Sequence, residues 1–341
     1  MGVISLIRDA MLYRGVGGGR VECGVCSRRC VVSSGRLGFC RTRENRDGRF
    51  YTLVYGLVSS LAADPIEKKP LYHFMPGSLS YSLGTVGCNF RCLHCQNYTI
   101  SQMRHDEVRT FELLPEDAVS RALEMGCRSI AFTYNEPTIW FEYTYETARL
   151  AHDSGLANVY VTNGYMTEEA LTMIAPYLDA LSLDIKAFSD EFYRKICGAR
   201  LGPVLDTALL AREFGMHIEV VNLIIPTLND STGEIREFVE WVRDNLGRET
   251  PLHFTRFYPY YRLSDLPATP FSTLEEAYKI ARDAGMEYVY IGNVPDTEEN
   301  NTYCPGCGRE LISRRGFYVV DNRITPGGRC PGCGARIKVV E

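Results

Sequence analysis

Three cysteines, Cys88, Cys92 and Cys95, stand in the stretch Ser82-Leu-Gly-Thr-Val-Gly-Cys-Asn-Phe-Arg-Cys-Leu-His-Cys-Gln-Asn97, spaced x3 and x2. Thiolates packed that closely can hold three irons of a [4Fe-4S] cube and leave the fourth iron open. An open iron can take the amino and carboxylate groups of S-adenosylmethionine (SAM), and one electron from the cluster then cleaves the cofactor's carbon-sulfur bond. The product is a 5′-deoxyadenosyl radical, able to abstract an unactivated hydrogen. The competing chemistry is a zinc knuckle with His94 as fourth ligand. His94 lies between two of the cysteines, where its ring would have difficulty reaching the same ion in tetrahedral geometry.

Two further cysteine groups flank this stretch. Cys23-Gly-Val-Cys26-Ser-Arg-Arg-Cys30 and Cys40 make a four-thiolate set in which the C-x2-C half resembles a zinc knuckle and the later pair closes the tetrahedron. A structural zinc is the first expectation there. An auxiliary iron-sulfur cluster uses the same ligands, and spacing alone does not separate the two. Near the other end, Cys304-Pro-Gly-Cys307-Gly and Cys330-Pro-Gly-Cys333-Gly are two knuckles of a zinc ribbon, with a second auxiliary cluster as the minority alternative. Glycine after each pair lets backbone amides turn towards sulfur. The ribbon is expected to act as a structural lid or docking surface. Cys127 and Cys197 stand outside these groups, and are read as a buried core cysteine and a helix-face cysteine with no chemical role.

Eleven of the thirteen cysteines thus fall into groups with metal-ligand spacing, which points to a reducing compartment rather than a disulfide framework. The N-terminal stretch carries charges after only a few apolar residues, and no later run approaches a membrane span, so the expected location is cytoplasmic with no membrane partner. A formal charge of −5 gives no general attraction to nucleic acid, and 341 residues at 45% hydrophobic content can bury a substantial core.

The elements that must position the thiols follow from residue 79 onward, where β-branched runs alternate with amphipathic stretches. Strands are expected at 80–86, 128–134, 157–162, 180–185, 217–225, 252–257 and 287–292, and helices at 115–126, 139–154, 231–246 and 273–284. Such alternation argues for an α/β fold of parallel βα units curled into a partial (βα)6-type barrel, its site at the carboxyl ends of the strands. The boundaries are an N-terminal four-cysteine segment with its linker at 1–75, the partial barrel at 76–296 and the ribbon-like segment at 297–341. Residues 51–61 read as one or two short strands, 64–77 as a loop packed along the barrel, and His73 as structural.

Polar residues gather at the strand ends: Asn135 and Glu136, Thr162 and Asn163, Asp184 with Lys186, Asn222, Asn229 with Asp230, and His253 with Arg256. Asn135 and Glu136 suit either an ammonium ligand or a helix start, and Asn229 and Asp230 suit capping as well as ligand binding. Asp184 and Lys186, two apart on an apolar strand, share a face and need a partner or ligand.

Together these motifs resemble the radical SAM superfamily, whose hallmark is C-x3-C-x-aromatic-C with His94 in the aromatic position, and within it the pyruvate formate-lyase-activating enzymes over about residues 79–294. The resemblance implies that His94 flanks adenine and that Asn135 and Glu136 orient the methionyl end of SAM. It also implies that Thr162, Asn163, Asp184, Lys186, Asn222 and His253 line the cofactor. The activases' Gly-Gly-Glu is Tyr-Asn-Glu here. Over the whole chain the N-terminal cysteines, Asp64-Pro-Ile-Glu-Lys-Lys-Pro-Leu-Tyr-His-Phe74 and Cys-Gln-Asn-Tyr-Thr-Ile-Ser-Gln102 are similar to the radical SAM enzyme of the AmmeMemoRadiSam system. The radical SAM resemblance implies an oxygen-sensitive enzyme, activase-like by its likeness to the activating enzymes, that needs a low-potential flavodoxin or ferredoxin as reductant; the second resemblance implies Memo-like and Ammecr-like proteins as associates and brings no known substrate. The alternatives are a peptide-modifying radical SAM enzyme with auxiliary clusters and a non-enzymatic multi-zinc protein.

Overall fold

The computed structural model describes residues 6–341, so the first five residues of the N-terminal stretch read above lie outside the described residues. An eight-stranded sheet forms the frame: β1 (Ser60–Pro65), β2 (Leu79–Gly84), β3 (Ser129–Phe132), β4 (Ala157–Thr162), β5 (Ala180–Asp184), β6 (His217–Ile224), β7 (Leu252–Arg256) and β8 (Val289–Gly292). The strands lie in chain order; β1 runs antiparallel to β2, and every later pairing is parallel. The sheet curls without closing, since β1 and β8 do not pair. All seven expected parallel strands are present within a few residues of their expected bounds.

Parallel strands need crossovers, and the helices α1 (Pro115–Glu124), α2 (Phe141–Asp153), α3 (Glu168–Ile174), α4 (Gly202–Glu213), α5 (Thr232–Asn245) and α6 (Phe271–Asp283) supply them. α5 shows why they form where they do: Ser231 caps it by accepting from the Glu234 amide, and Ile235, Phe238, Val239 and Val242 make one buried stripe. The cap is thus Ser231, while Asn229 instead accepts from the Ile225 amide and donates to the carbonyls of Lys186 and Leu223. α3 and α4 were not expected. α3 has only seven residues, and α4 carries apolar side chains around most of its circumference, so neither shows a strong helical period.

Strand alternation sorts the side chains. Ile130, Phe132, Tyr160, Leu181, Leu183, Val220 and Phe254 pack outward against the helices in the main core. The inward face carries Ala131, Val159 and Ala180, which meet Ile66, Leu71 and Phe74 in a second core. Residues 66–77 therefore run inside the amino end of the curled sheet as a plug, while Asp64 and Pro65, expected as part of this loop, complete β1. Buried Glu219 on β6 holds the plug by accepting from the amides of Tyr72 and His73.

Below the plug sits the C-terminal ribbon, a three-stranded antiparallel sheet of Thr302–Tyr303, Glu310–Arg315 and Tyr318–Asn322. Buried Arg314 donates to the Tyr72 carbonyl and to Thr302, and lies 3.8 Å from Glu67. The Val340 amide donates to the His73 carbonyl, and the Met75 amide to that of Val340. The ribbon was expected as a lid or docking surface; it forms the floor under the amino ends of the strands, because its apolar face packs on Tyr72, Tyr288 and Tyr290. The N-terminal module of short antiparallel strands takes the opposite end. It meets the loop after β4 through a Cys26–Met166 bridge, and Thr167 donates to the Gly24 carbonyl.

Candidate metal centres and cofactor site

β2 delivers the central cysteines. It ends at Gly84, where a Cβ would fall 2.8 Å from the Thr133 carbonyl oxygen, so only glycine lets β2 and β3 approach there. The loop that follows is laced to the turn after β3. Asn135 accepts from the Thr85 amide and donates to the Gly87 carbonyl, and Asn97 donates to the carbonyl of Tyr134. Cys88 and Cys92 are buried and Cys95 nearly so. The Phe90 amide points at Cys88 Sγ from 3.3 Å, and Ser101 lies 3.1 Å from Cys95 Sγ. Burial pushes the thiols of Cys88 and Cys95 up, whereas for Cys92 the hydrogen bond with Cys197 leads and burial follows. A metal must displace those protons to bind.

Glu136 caps the short helical turn Pro137–Trp140 and is surrounded by donors: the amide and hydroxyl of Thr138, the hydroxyl of Thr162 at 2.7 Å and the amide of Asn163 at 2.8 Å. Burial raises its pKa, and these hydrogen bonds oppose the rise. Both the capping and the ligand-facing expectations meet in this residue, since Glu136 also lies close enough to Cys88 to raise that thiol's pKa. Asn163 Nδ2 donates to Asn89 Oδ1 at 2.8 Å and lies 3.9 Å from Cys88 Sγ. At the end of β5, Lys186 donates to Asp184 at 2.9 Å. Burial works against the ammonium charge of Lys186, but Asp184 and then Cys92 outweigh it. Burial and the same ammonium push His94 down to about 3, so its ring is neutral.

The structure therefore gathers His94, Asn135, Glu136, Thr162, Asn163, Asp184 and Lys186 around the three cysteines. It does not bring Asn222 or His253 there. Asn222 shares its strand face with Val220 and Ile224 of the helix-facing core and donates to the Ile185 carbonyl, tying β5 to β6. His253 lies on the floor side, its Nε2 2.8 Å from Glu219 and its ring against Tyr72. Arg256 donates to the Thr269 carbonyl. Sequence reasoning missed Asn89 and Cys197. Asn89 lay inside the quoted stretch but had no motif of its own; Cys197 gave no signal, because the turn Tyr193–Cys197 meets the cysteine loop only in the fold, through bonds from the amides of Arg91 and Leu93.

Sulfur spacing separates the three groups. Cys304, Cys307, Cys330 and Cys333 have all four Sγ atoms within 4.8 Å of one another, with Cys304–Cys333 at 3.6 Å and Cys307–Cys330 at 3.7 Å. Four thiolates at 2.3 Å from one zinc stand about 3.8 Å apart, so this quartet is gathered as for a single ion. Among the described residues no other three cysteines are gathered so tightly. The central triad is thus too open for one zinc ion and suits a cube, where each sulfur sits outward on its own iron. One buried polar atom beside it, His94 Nδ1, has no protein partner, as expected where a ligand supplies one. The residues fit a cluster with SAM.

The radical SAM superfamily profile matches residues 82–242. The chain belongs to the radical SAM superfamily. It is 48% identical to an uncharacterized protein of Methanocaldococcus jannaschii over 335 residues, 98% of this chain and 100% of that one. It is 25% identical to the pyruvate formate-lyase-activating enzyme of Clostridium pasteurianum over 46% of this chain and 67% of that enzyme. This likeness bears out the resemblance read from the motifs. The fold is similar to that of Streptococcus suis SuiB bound to S-adenosylmethionine, with a TM-score of 0.50 at 15% identity over 63% of this chain and 51% of that one. Membership decides for an enzyme of SAM radical chemistry over a multi-zinc scaffold. No helix among the described residues is long and apolar enough to cross a membrane.

Proposed function

We propose that this radical SAM enzyme works in the activase manner: Cys88, Cys92 and Cys95 hold the SAM-binding [4Fe-4S] cluster, and a substrate hydrogen is abstracted at the carboxyl end of the curled sheet. When bound, the cluster would supply one electron to SAM, releasing methionine and a 5′-deoxyadenosyl radical that takes the hydrogen atom.

The chain's own residues bind, orient and exclude water. His94, kept neutral, offers an uncharged face to adenine and an unpaired Nδ1. Asp184 and Lys186 form an ion pair on the inner face that can meet the charged ends of SAM. Asn135 and Asn163 act as positioning residues. Asn135 fixes the loop before Cys88, and Asn163 orients Asn89 beside it. Glu136 sets Thr162 and the Asn163 backbone, and its charge faces the region of Cys88 where the SAM ammonium is expected. The C-terminal quartet takes a structural zinc. A low-potential flavodoxin or ferredoxin serves as reductant, and Memo-like and Ammecr-like proteins are the candidate associates.

The observation that carries this reading is the buried triad, spread wider than a zinc site, beside a buried neutral histidine. The test is reductive cleavage of SAM to 5′-deoxyadenosine by the anaerobically reconstituted chain. Wild type is expected to cleave and Cys92→Ala to lose cleavage; equal rates in the two would remove the assignment. Deuterium carried into 5′-deoxyadenosine from candidate substrates then identifies the hydrogen donor.

A further inference from the structure

The N-terminal cysteines pose a question that the SAM site does not answer. Cys23, Cys26, Cys30 and Cys40 line a single cavity, although Cys40 stands apart from the other three, beyond the strand Val31–Val32. Their sulfurs open this space rather than closing on a point: no three lie within 4.8 Å of one another, whereas the ribbon quartet meets that limit with all four. Zinc demands about 3.8 Å between sulfurs, so the same fold gathers one quartet for a single ion and holds the other apart. A cube with one thiolate per iron needs the wider spread.

The walls give a second, independent sign. Arg43 and Asn89 both line the cavity, are both buried, and each keeps one N–H without a protein acceptor, Arg43 Nε and Asn89 Nδ2. The rest of the Arg43 guanidinium is engaged by Glu142 and the Met11 carbonyl. Neither N–H reaches a cysteine sulfur, and a zinc ion would bring no further acceptor. A cube adds inorganic sulfides, which accept hydrogen bonds and whose potential such donors tune. The remaining wall is Val25, Gly38, Phe50 and Ile139 together with Arg28, whose guanidinium donates to the carbonyls of Asn89 and Gly198.

The cavity also adjoins the SAM site. Asn89 follows Cys88 directly in the chain. Gly87 precedes it, and a Cβ there would fall 2.6 Å from the Cys40 carbonyl oxygen. Arg28 donates to the Asn89 carbonyl, and Arg91 to the carbonyl of Phe39.

We propose that Cys23, Cys26, Cys30 and Cys40 hold a second [4Fe-4S] cluster, and that it exchanges single electrons with the cluster at Cys88, Cys92 and Cys95. With a thiolate on every iron it has no open corner, so its part is electron transfer and not substrate binding. A low-potential one-electron donor reduces it, and it returns to its oxidised state on passing that electron to the SAM cluster; no bond is made or broken in the transfer.

The test is metal, sulfide and spectroscopic analysis of the full chain after anaerobic purification and reconstitution. Wild type is expected to carry about eight irons, about eight sulfides and about one zinc, and the C88A/C92A/C95A variant about four irons and four sulfides. The reduced variant should keep a [4Fe-4S] electron paramagnetic resonance signal that added SAM leaves unchanged. In fully reduced wild type the two spins should broaden one another, and this broadening should vanish in C88A/C92A/C95A and in C23A/C26A/C30A/C40A. About four irons with two zincs in wild type, or a triad variant without iron and sulfide, overturns the second cluster. Two clusters without mutual broadening overturns the electron exchange. If the N-terminal variant fails to fold, wild-type metal content and the triad variant still decide. SAM cleavage with only four irons would sink this inference and leave the proposed function standing.

Discussion

At the scale of single residues, the site rests on buried charges held by ion pairs. Arg43 and Glu142 are the sharpest case: both are buried, with both Glu142 oxygens 2.7 Å from Nη2. Removing one partner strands the other charge in an apolar setting. Glu142→Ala is therefore expected to lower stability by about 3–5 kcal/mol, read as a shift in denaturant midpoint. Among the titratable residues, His73 is held neutral by burial, its pKa pushed down to about 3. Its Nδ1–H donates to the Lys338 carbonyl at 2.5 Å while Nε2 accepts from the Tyr290 hydroxyl. In the unfolded chain a histidine takes its proton near pH 6.5. Between pH 6.5 and 3 the unfolded state thus binds more protons, and stability falls as pH is lowered through that window. Unfolding of His73→Gln is expected to show a shallower fall than wild type over the same range, and parallel curves would contradict the assignment.

At the scale of elements, the tightest constraint is the contact between two loops. Gly87 has φ +87° and has no room for a side chain between Cys40 and Thr42. Gly87→Ala is expected to cost about 1–3 kcal/mol from backbone strain alone and to lower the iron retained per chain; calorimetry and metal analysis on the same sample check both. The strands were legible in the sequence because apolar, β-branched runs recur at regular intervals, and the long helices because stripes such as Ile235, Phe238 and Val242 repeat with helical period. α4 was illegible for the opposite reason, having no polar face to set its period. The triad, His94 and the Glu136 turn could be read because their spacing is local. Cys197 against Cys92, and the outward turn of Asn222, depend on strand alternation and on loops meeting across the fold. His253 was misplaced along its strand rather than across it: residue type pointed to a site, but only its hydrogen bond to Glu219 shows which end of the strand it serves.

At the scale of the whole molecule, the metal groups are divided between the two ends of the curled sheet. The triad and the N-terminal quartet lie at the carboxyl ends of the strands, while the ribbon quartet lies under the plug. A metal held by the ribbon quartet should accordingly matter for integrity more than for chemistry. Cys330→Ala is expected to make residues beyond 297 prone to limited proteolysis while SAM cleavage continues. Loss of cleavage with an intact ribbon would show coupling through the floor.

The fastening of that floor has a consequence for how the molecule is made. Lys338 meets His73 across 265 residues of sequence. At about 5–20 residues per second on the ribosome, a nascent chain waits on the order of 13–53 s between the two. During that interval the plug has no clasp, and the earlier thiols have emerged before the barrel can be completed. Cofactor delivery is therefore expected to follow the emergence of Lys338, and a cell that hurried it would load a half-built vessel.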